Sequence, residues 1–339
     1  MTKPVLQLVN LSISFDTPQG EVEAVRDVSL SLNKGEILAL VGESGCGKTV
    51  MSQSVLKLLP KTSRIKQGQI IVDGDDITGY KEKQMRKLRG SVLSMVFQDP
   101  MTTLNPTIPV GKQITESILK HEKVSKEQAR QQAIEMLNLV GINNPEYMFS
   151  LQPHFFSGGM RQRCVLAIAL ASNPKVLFAD EATTALDVTV QARMLDLLSD
   201  IRHQTGIAIV FISHDLGVVA RIADRVAVMY AGKIVEIGTA EEVFYDPRHP
   251  YVWGLMSALP SRAREGEALT SIPGMPPIML DPPRGDAFAV RNQFALEIDY
   301  REAPPMFQIS PTHSAATWLL DERAPEIMPP ILPKRRASA

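Results

Sequence analysis

The feature that most constrains this chain is a glycine-rich stretch that follows a short apolar run. The apolar run is Glu36–Val41, which predicts a buried strand, and the stretch itself reads Gly42-Glu43-Ser44-Gly45-Cys46-Gly47-Lys48-Thr49. Two glycines separated by four residues, followed by Lys and Ser or Thr, form the phosphate-loop pattern. Residues from Val50 to Leu59 have helical spacing and end at Pro60. The loop is therefore predicted between a strand and a helix, which is the context that this motif requires.

Each residue type in this loop has a physical role in binding phosphate. The glycines allow successive backbone N–H groups to point into one concavity, and the N-terminus of the helix adds about half a positive charge there. Lys48 is placed for the β- and γ-phosphates, and the hydroxyl group of Thr49 is placed for Mg²⁺. The pattern predicts a site for a nucleoside triphosphate.

A second candidate segment is an apolar strand that ends in two carboxylates. Val176–Ala179 precedes Asp180 and Glu181, and Asp180 at the carboxyl end of such a strand would hold Mg²⁺ directly or through water. Glu181 is then suited to orient or deprotonate the attacking water. Gln98 and His214 end two other predicted strands and would reach the same crevice, although either residue alone is better explained as a polar residue in a turn.

A third segment resembles the first in chemistry. The sequence Phe156-Ser157-Gly158-Gly159-Met160 precedes the apolar helical stretch Cys164–Ala171. Serine and two glycines at a helix N-terminus form a second anion-binding nest, and they would equally serve as a simple helix cap. Because the chain has two such nests and one lysine-bearing loop, the second nest could serve the nucleotide of another subunit.

Predicted strands and helices alternate along the rest of the chain. Strands are predicted at Val5–Phe15, Glu21–Leu32, Gln69–Asp73, Val92–Gln98, Val176–Ala179, Ile207–Ile212 and Arg225–Tyr230. Helices are predicted at Lys81–Arg89, Val110–His121, Ser125–Val140, Val188–Gln204 and Leu216–Ile222. Ser125 is the expected N-cap of its helix, with Gln128 at the capping-box position. This alternation indicates an α/β fold with a mostly parallel sheet covered on both faces.

The chain is long enough for one large domain and one smaller domain. We expect a nucleotide-binding domain at residues 1–260, with a helical insert at about residues 100–173, and a proline-rich appendage at residues 261–339. Half of the 24 prolines fall in the last 79 residues, so extended segments and turns should dominate there. Phe288, Phe294 and Trp318 give this appendage side chains to bury, with Leu319 and Leu320.

Charge, hydropathy and cysteine content limit the partners and the location of this chain. The formal net charge of −1 gives no general attraction to nucleic acid. No apolar run approaches the roughly 18 residues of a membrane span, so another chain would have to supply any spanning part. Two cysteines far apart in the sequence indicate a reducing compartment, and we therefore expect a cytoplasmic protein.

Together, these motifs resemble those of the ATP-binding subunits of ABC transporters. The phosphate loop, Gln98, Ser157-Gly158-Gly159, Asp180-Glu181, Asp187 and His214 occur in that family's order and approximate spacing over about residues 5–245. The resemblance implies a P-loop NTPase fold with an ABC ATPase domain, an N-terminal antiparallel β part and a small irregular C-terminal appendage. It also implies that two subunits sandwich two ATP molecules, each held by one phosphate loop and the other subunit's Ser-Gly-Gly segment.

The resemblance also implies roles for individual residues. Phe15 would stack on adenine, Gln98 would sense Mg²⁺ and contact the membrane partner, and His214 would contact the γ-phosphate. Asp187 would lie at the subunit interface. The implied catalytic residues are Glu181 and His214, and the implied metal ligands are Thr49, Gln98 and Asp180. The implied nucleotide contacts are Phe15, Gly42, Glu43, Ser44, Gly45, Cys46, Gly47, Lys48, Thr49, Val50, Gln98, Ser157, Gly158, Gly159, Met160 and Asp187.

Finer features resemble the subgroup of importers for oligopeptides, dipeptides and nickel, and most of all the ATPases of oligopeptide permeases. They are the signature Phe156–Arg163 and the segments Asp246–Tyr251 and Ile272–Pro277, so the resemblance extends over nearly the whole chain. It implies a peripheral ATPase on the cytoplasmic face of the cell membrane. The implied partners are two transmembrane permeases, a paralogous second ATPase and an extracellular peptide-binding protein.

Three alternatives remain open at this point. The chain could serve an importer of dipeptides or of nickel, or it could be a soluble ABC-type ATPase that is not linked to transport. Soluble members usually have two cassettes or a long coiled-coil insertion, and this sequence has neither. A small-molecule kinase with a phosphate loop would not need the Ser-Gly-Gly segment.

The sequence departs from the family pattern in its C-terminal appendage and at two single residues. Many relatives have four cysteines in the appendage that ligate an iron–sulfur cluster, whereas this chain has Asp286, Asn292, Asp299 and Thr317 at the apparent positions. These side chains offer hard oxygen ligands where a cluster needs thiolates, so we expect no iron–sulfur cluster and an appendage held by apolar packing. Ala182 replaces the usual Pro, with little expected effect. Cys46 replaces a more usual Ser, and it could either make the ATPase sensitive to thiol reagents or, as we rather expect, have no effect.

Overall fold

The computed structural model describes residues 3–97, 103–182, 187–259 and 272–330. The chain divides into two compact units that are interleaved along the sequence. The first unit comprises Met1–Leu6, Ser31–Ile37 and Ile71–Ile212, and the second comprises Gln7–Leu30, Leu38–Ile70 and Ser213–Ala339. Gln98, predicted above as a metal ligand, lies outside the described residues, and so does the predicted domain boundary at residue 260.

The described strands and helices follow the predicted alternation. The strands are β1 (Leu6–Thr17), β2 (Gly20–Leu32), β3 (Ile37–Val41), β4 (Ser63–Val72), β5 (Asp75–Asp76), β6 (Leu93–Val96), β7 (Val176–Asp180), β8 (Ala208–Ile212), β9 (Arg225–Tyr230), β10 (Lys233–Thr239), β11 (Phe307–Gln308) and β12 (Ser314–Ala315). The α-helices are α1 (Lys48–Val55), α2 (Glu82–Leu88), α3 (Val110–His121), α4 (Lys126–Leu139), α5 (Pro145–Met148), α6 (Gly158–Leu170), α7 (Val188–Thr205), α8 (Leu216–Ile222), α9 (Ala240–Tyr245) and α10 (Pro250–Ser257).

The core of the first unit is a parallel arrangement of β6, β7 and β8. Strand β7 lies in the middle and pairs in parallel with both neighbours, for example Met95 with Phe178 and Phe178 with Val210. Every residue of these three strands is buried. Continuous apolar strands of this kind occur where both faces of a parallel sheet are covered, as the sequence predicted.

Helices occupy the described part of the first unit between β6 and β7. Helix α3 buries Val110, Ile114 and Ile118 at a spacing of four residues, which places them on one face. Helix α4 begins after Ser125, whose hydroxyl accepts a hydrogen bond from the Gln128 amide at 3.2 Å. The Gln128 side chain accepts from the Ser125 amide at 2.9 Å, so the predicted capping box is confirmed.

The second unit contains the phosphate loop and a mixed sheet. Strand β3 pairs in parallel with β9, and β9 pairs antiparallel with β10. The sheet continues through β12 and β11, both from the C-terminal appendage, in antiparallel pairs. Strands β1, β2 and β4 belong to a separate sheet, in which the strand order is β2-β1-β4-β5. An N-terminal β part beside a sheet with a parallel core was predicted, whereas β10, β11 and β12 were not.

Helix α1 ends at Val55, four residues before the predicted end at Leu59. Lys57 has a left-handed backbone (φ 50°), and its amide donates to the Ser54 carbonyl at 3.0 Å. The Leu58 amide donates to the Gln53 carbonyl at 2.9 Å. These two bonds form the Schellman arrangement, which satisfies the last carbonyls and stops the helix without glycine.

The appendage between residues 272 and 330 has little regular structure, in agreement with its proline content. Its strand β12 pairs Ala315 with Glu236 of β10. The Phe288 ring packs against Tyr230 and Tyr251, with ring centroids 5.2 and 5.3 Å apart. Apolar packing of the expected kind therefore attaches this segment within the second unit.

At the four apparent positions of the relatives' cluster cysteines, the side chains of this chain accept hydrogen bonds from backbone amides. Each side-chain oxygen accepts a hydrogen bond from a backbone amide two or three residues away: Asp286 from Phe288 (3.0 Å), Asn292 from Phe294 (2.9 Å), Asp299 from Leu296 (2.7 Å) and Thr317 from Leu319 (3.3 Å). Such local bonds fix turns in the chain. The appendage is thus held by polar turn contacts as well as by the apolar packing that we expected.

A buried carboxylate joins three segments of the second unit. Glu236 lies in the middle of β10 with no exposed surface. It accepts backbone hydrogen bonds from Arg248 at 3.0 and 3.1 Å and from His249 at 2.7 Å. The His313 ring nitrogen Nε2 lies 2.8 Å from its Oε1. Burial raises the pKa of Glu236, and these partners compensate part of that cost.

Candidate functional site: the phosphate loop and the Ser-Gly-Gly helix

The phosphate loop joins β3 to α1 through backbone conformations that favour glycine. Gly42, Gly45 and Gly47 have φ values of 150°, 79° and 105°. A Cβ atom on Gly42 would lie 2.2 Å from the Met229 carbonyl oxygen, and one on Gly47 would lie 2.4 Å from the Ala24 carbonyl oxygen. Both positions therefore exclude a side chain on grounds of space as well as conformation. The loop has the shape that the sequence motif predicted.

Lys48 is the first residue of α1, and its ammonium group is directed back over the loop. The side chain is buried, and Nζ donates to the carbonyl oxygens of Gly42 at 2.7 Å and Glu43 at 2.9 Å. No side chain caps the N-terminus of α1, and its first turn contains no acidic residue. The ammonium group and the positive end of the helix thus lie together, which favours an anion there.

Cys46 lies inside the loop. Its Sγ is 3.5 Å from Lys48 Nζ, and the residue is only 2% exposed. Burial raises the pKa of this thiol, so the thiol stays protonated at neutral pH. A protonated and buried thiol reacts slowly, because the thiolate is the nucleophile. This argues for a structural role of Cys46.

His214 belongs to the same unit as the phosphate loop. The amide of the preceding Ser213 donates to the Leu40 carbonyl of β3 at 3.3 Å. Asp215 caps α8 by accepting from the amides of Gly217 and Val218. These contacts fix both neighbours of His214, whose own side chain is exposed. Phe15, the predicted adenine contact, lies half-buried in β1 of this unit.

In the first unit, Asp180 and Glu181 occupy the carboxyl end of β7 as predicted. Asp180 is the buried last residue of the strand. Glu181 has a left-handed backbone with φ 47°, and its amide donates to the Ile212 carbonyl at 3.1 Å. Non-glycine residues adopt this conformation rarely, and such cases concentrate at functional sites. The half-buried Glu181 side chain is therefore held at a defined turn.

Ser157 is the N-cap of α6, which is the simpler of the two roles that the sequence allowed. Its hydroxyl accepts from the Met160 amide at 3.3 Å. Ser157 and Gly158 are exposed, and a Cβ atom on Gly158 would meet nothing within 4 Å. In contrast, a Cβ atom on Gly159 would lie 2.8 Å from Val190 Cγ1 of α7. The surface at Ser157 and Gly158 is thus open to an outside group.

Hydrogen bonds in the first unit fix the start of α7 and tie the Ser-Gly-Gly helix to the segment after β7. Asp187 caps α7 by accepting from the amides of Thr189 at 3.1 Å and Val190 at 3.0 Å. Gln162 of α6 donates to the Ala182 carbonyl at 2.6 Å, one residue after Glu181. The structure therefore joins α6 to the strand end that contains Asp180 and Glu181, and it places Gly159 of α6 against Val190, three residues after the N-cap Asp187.

The sequence analysis missed the polar contacts around Glu43. Its carboxylate pairs with Arg291, and its amide donates to the hydroxyl of Tyr251 at 2.9 Å. Arg291 follows Glu43 by 248 residues and Tyr251 follows it by 208, so no local pattern could have revealed these pairs. A buried arginine in a proline-rich segment has no sequence signal of its own.

The fold and the loop define a class of protein: an α/β nucleotide-binding ATPase in which a phosphate loop links a parallel strand to a helix. The ABC transporter family matches residues 25–184, and the family described as oligopeptide/dipeptide transporter, C-terminal region, matches residues 235–298. The chain belongs to the ABC transporter ATPases, and its cassette binds ATP.

Individual relatives agree with this assignment over almost the entire chain. The chain is 56% identical over 328 residues to the oligopeptide transport ATP-binding protein OppD of Bacillus subtilis, covering 96% of this chain and 92% of OppD. It is 52% identical over 326 residues to the dipeptide transport ATP-binding protein DppD of Lactococcus lactis, covering 96% and 93%. A dimeric bacterial ABC transporter cassette, MJ0796, superimposes with a TM-score of 0.62 at 25% identity over 69% of this chain and 98% of that one.

Across the part of the chain that the structure describes, no helix is both long and apolar enough to cross a lipid bilayer.

Proposed function

We propose that this chain is the ATP-hydrolysing subunit of a bacterial importer of oligopeptides. The observation that carries the proposal is the buried Lys48 at the centre of a glycine loop, in a chain that is similar to peptide-transport ATPases along 96% of its length. The relatives named for dipeptide transport make dipeptides the second candidate cargo.

In the proposed mechanism, ATP is bound through the phosphate loop and hydrolysed with Mg²⁺. Lys48 and the loop amides hold the phosphates, while Phe15 stacks on adenine. Thr49, Gln98 and Asp180 are the proposed Mg²⁺ ligands. Glu181 orients or deprotonates water, and His214 contacts the γ-phosphate. The defined turn at Glu181 (φ 47°) and the fixed neighbours of His214 support these two assignments.

The Ser-Gly-Gly helix is proposed to act on the ATP of a second subunit. The exposed residues Ser157 and Gly158 support this role, because a helix start offers backbone N–H donors to an anion from outside the chain. ATP would close the two-subunit sandwich, and hydrolysis would reopen it.

The proposed assembly contains two permeases, a second and paralogous ATPase, and an extracellular peptide-binding protein. The chain would lie on the cytoplasmic face of the membrane and pass its closing motion to the permeases. The test is reconstitution with these partners in proteoliposomes and measurement of the uptake of a labelled pentapeptide, a dipeptide and Ni²⁺. ATP-dependent uptake of the pentapeptide is expected. Uptake of Ni²⁺ alone, or no association with permeases, would contradict the proposal.

The phosphate-loop assignment has its own test in Lys48→Ala. The change removes a charge worth up to about 4 kcal/mol at 4 Å and an effective dielectric constant of about 20. We expect at least a roughly hundredfold loss of ATP affinity, measured by titration of the purified full chain. Lys120→Ala, at the exposed end of α3, is the matched control and should bind ATP normally. Unaltered affinity of Lys48→Ala would refute the assignment.

A further inference from the structure

Arg291 of the appendage uses all its N–H groups within one buried cluster. Its side chain is 5% exposed. Nε donates to the Pro273 carbonyl at 2.7 Å, and Nη2 donates to the Gly274 carbonyl at 3.2 Å. Nη1 and Nη2 donate to the two carboxylate oxygens of Glu43 at 2.6 and 3.0 Å, and Nη1 lies 3.3 Å from the Tyr230 hydroxyl. Five donors therefore meet five acceptors, which is the full capacity of a guanidinium group.

Glu43 is the second residue of the phosphate loop, and it is held on three sides. Its carboxylate accepts both bonds from Arg291, and its amide donates to Tyr251 Oη at 2.9 Å. Its carbonyl accepts from Lys48 Nζ at 2.9 Å. One loop residue thus connects the appendage, helix α10 and the phosphate-binding lysine.

Aromatic rings support this cluster from behind. The Tyr230 and Tyr251 centroids are 4.7 Å apart, and both rings pack on Phe288 of the appendage. Tyr251 and Phe288 are at most 2% exposed. Because buried rings in contact have little freedom to move, the geometry of Arg291 against Glu43 is fixed by its surroundings.

We propose that Arg291 is a positioning residue for ATP binding: it neutralises Glu43 and fixes the start of the phosphate loop. The inference depends on ATP binding at this loop, as proposed above. Without Arg291, an unpaired carboxylate would stand two residues before the loop's central glycine. The Glu43 carbonyl lies 2.9 Å from Lys48 Nζ, so an unpaired negative charge on this residue would oppose the anion that the lysine favours and would weaken ATP binding.

Lysine is not expected to replace Arg291. A bidentate contact with both carboxylate oxygens needs the planar fork of a guanidinium group, whereas an ammonium group is a point charge. The Pro273 and Gly274 carbonyls would also lose donors. The arginine therefore determines the geometry of the loop as well as its charge.

The test is the affinity of the purified full chain for ATP, measured by titration, with thermal unfolding measured in parallel. Arg291→Met should weaken ATP binding by about tenfold, which corresponds to about 1.4 kcal/mol. Adding Glu43→Gln to that variant should restore most of the affinity, because it removes the unpaired charge. A purely structural role for Arg291 would not produce this rescue. Arg301→Met, which breaks an exposed ion pair with Glu297 in the same appendage, is the matched control and should bind ATP normally.

Arg291→Lys covers the case in which the Met variant does not fold. It keeps the charge and should weaken ATP binding by about threefold. Wild-type affinity in Arg291→Lys, or loss of affinity in Arg291→Met without rescue by Glu43→Gln, would overturn the inference. Lys48→Ala separates the two proposals: if it still binds ATP, the phosphate-loop assignment fails. If Lys48→Ala loses ATP binding while the Arg291 variants bind ATP normally, the positioning role of Arg291 fails and the phosphate-loop assignment stands.

Discussion

At the scale of single residues, the positions of candidate site residues at strand and helix ends could be predicted where they follow regular patterns. Asp180 and Glu181 were recognised because an apolar strand ends there, and Lys48 because of its glycine spacing. The sequence did not reveal that Glu181 has a left-handed backbone, since neither its side chain nor its neighbours favour φ near 47°. The bond from its amide to Ile212, at the end of β8, fixes that conformation and depends on the assembled sheet.

Glu181→Gln tests the proposed role of this carboxylate. Glutamine has the same length, and its backbone amide can keep the hydrogen bond to the Ile212 carbonyl, but its side chain cannot accept a proton from water. We expect ATP binding to remain and turnover in the assembled transporter to fall by about 10²–10⁴-fold, measured as phosphate release. Glu241→Gln, an exposed carboxylate in α9, should leave turnover unchanged. Normal turnover in Glu181→Gln would exclude it as the catalytic base.

At the scale of elements, helix caps were the most predictable features. The Ser125 capping box was predicted from two residues and is present with both hydrogen bonds. Strands such as β12 could not be predicted, because two residues give no periodic pattern and the pairing partner β10 lies about 77 residues away. The end of α1 was misplaced because Lys57 adopts the conformation that usually calls for glycine.

The caps at Ser157 and Ser125 allow a matched comparison. Each hydroxyl accepts one amide hydrogen bond at the start of a helix in the first unit. Loss of either cap, by Ser157→Ala or Ser125→Ala, should lower the free energy of unfolding by about 1 kcal/mol, measured with urea. Ser157→Ala should in addition lower ATP turnover in the assembled transporter, because we propose that its site binds the ATP of the second subunit. Equal turnover in the two variants would limit Ser157 to a structural role.

At the scale of the whole molecule, the α/β class and the alternation of elements were predicted, and the interleaving of two units was not. Residues 7–30 and 38–70 join residues 213–339 in one unit, although the sequence between them belongs to the other. Periodicity reports which face of an element is buried but not which distant element covers it. The Arg291–Glu43 pair and the Glu236–His313 contact join such distant elements, so periodicity could not reveal them.

The stability of the whole chain should depend on the charge of Asp286. The pKa of this carboxyl is raised from its usual 3.8 to about 6, chiefly by burial and also by Asp299, against the lowering effects of the Phe288 amide hydrogen bond and of Lys233 and Arg26. Because the folded state binds this proton more tightly, the contribution of Asp286 to stability is present below about pH 4 and is lost as pH rises through 6.

Asp286→Asn keeps the oxygen that accepts from the Phe288 amide and removes the charge. It should raise the free energy of unfolding by about 1 kcal/mol at pH 8 and have little effect at pH 4, measured by urea unfolding across this range. Asp281→Asn, an exposed carboxyl on the same segment, should change neither value. A stability gain for Asp286→Asn that is equal at both pH values would contradict the assignment.

The carboxylate of Glu236 has a consequence for how such chains can diverge. Its hydrogen-bond partners come from residues 248–249 and from His313, and its strand β10 belongs to the sheet that continues the phosphate-loop strand. A hybrid that grafts the last quarter of another ATPase onto this cassette would remove His313 and leave this buried carboxyl with one partner fewer, unless the donor brought an equivalent imidazole. We therefore expect β10 and the tail segment that contains His313 to be exchangeable only together.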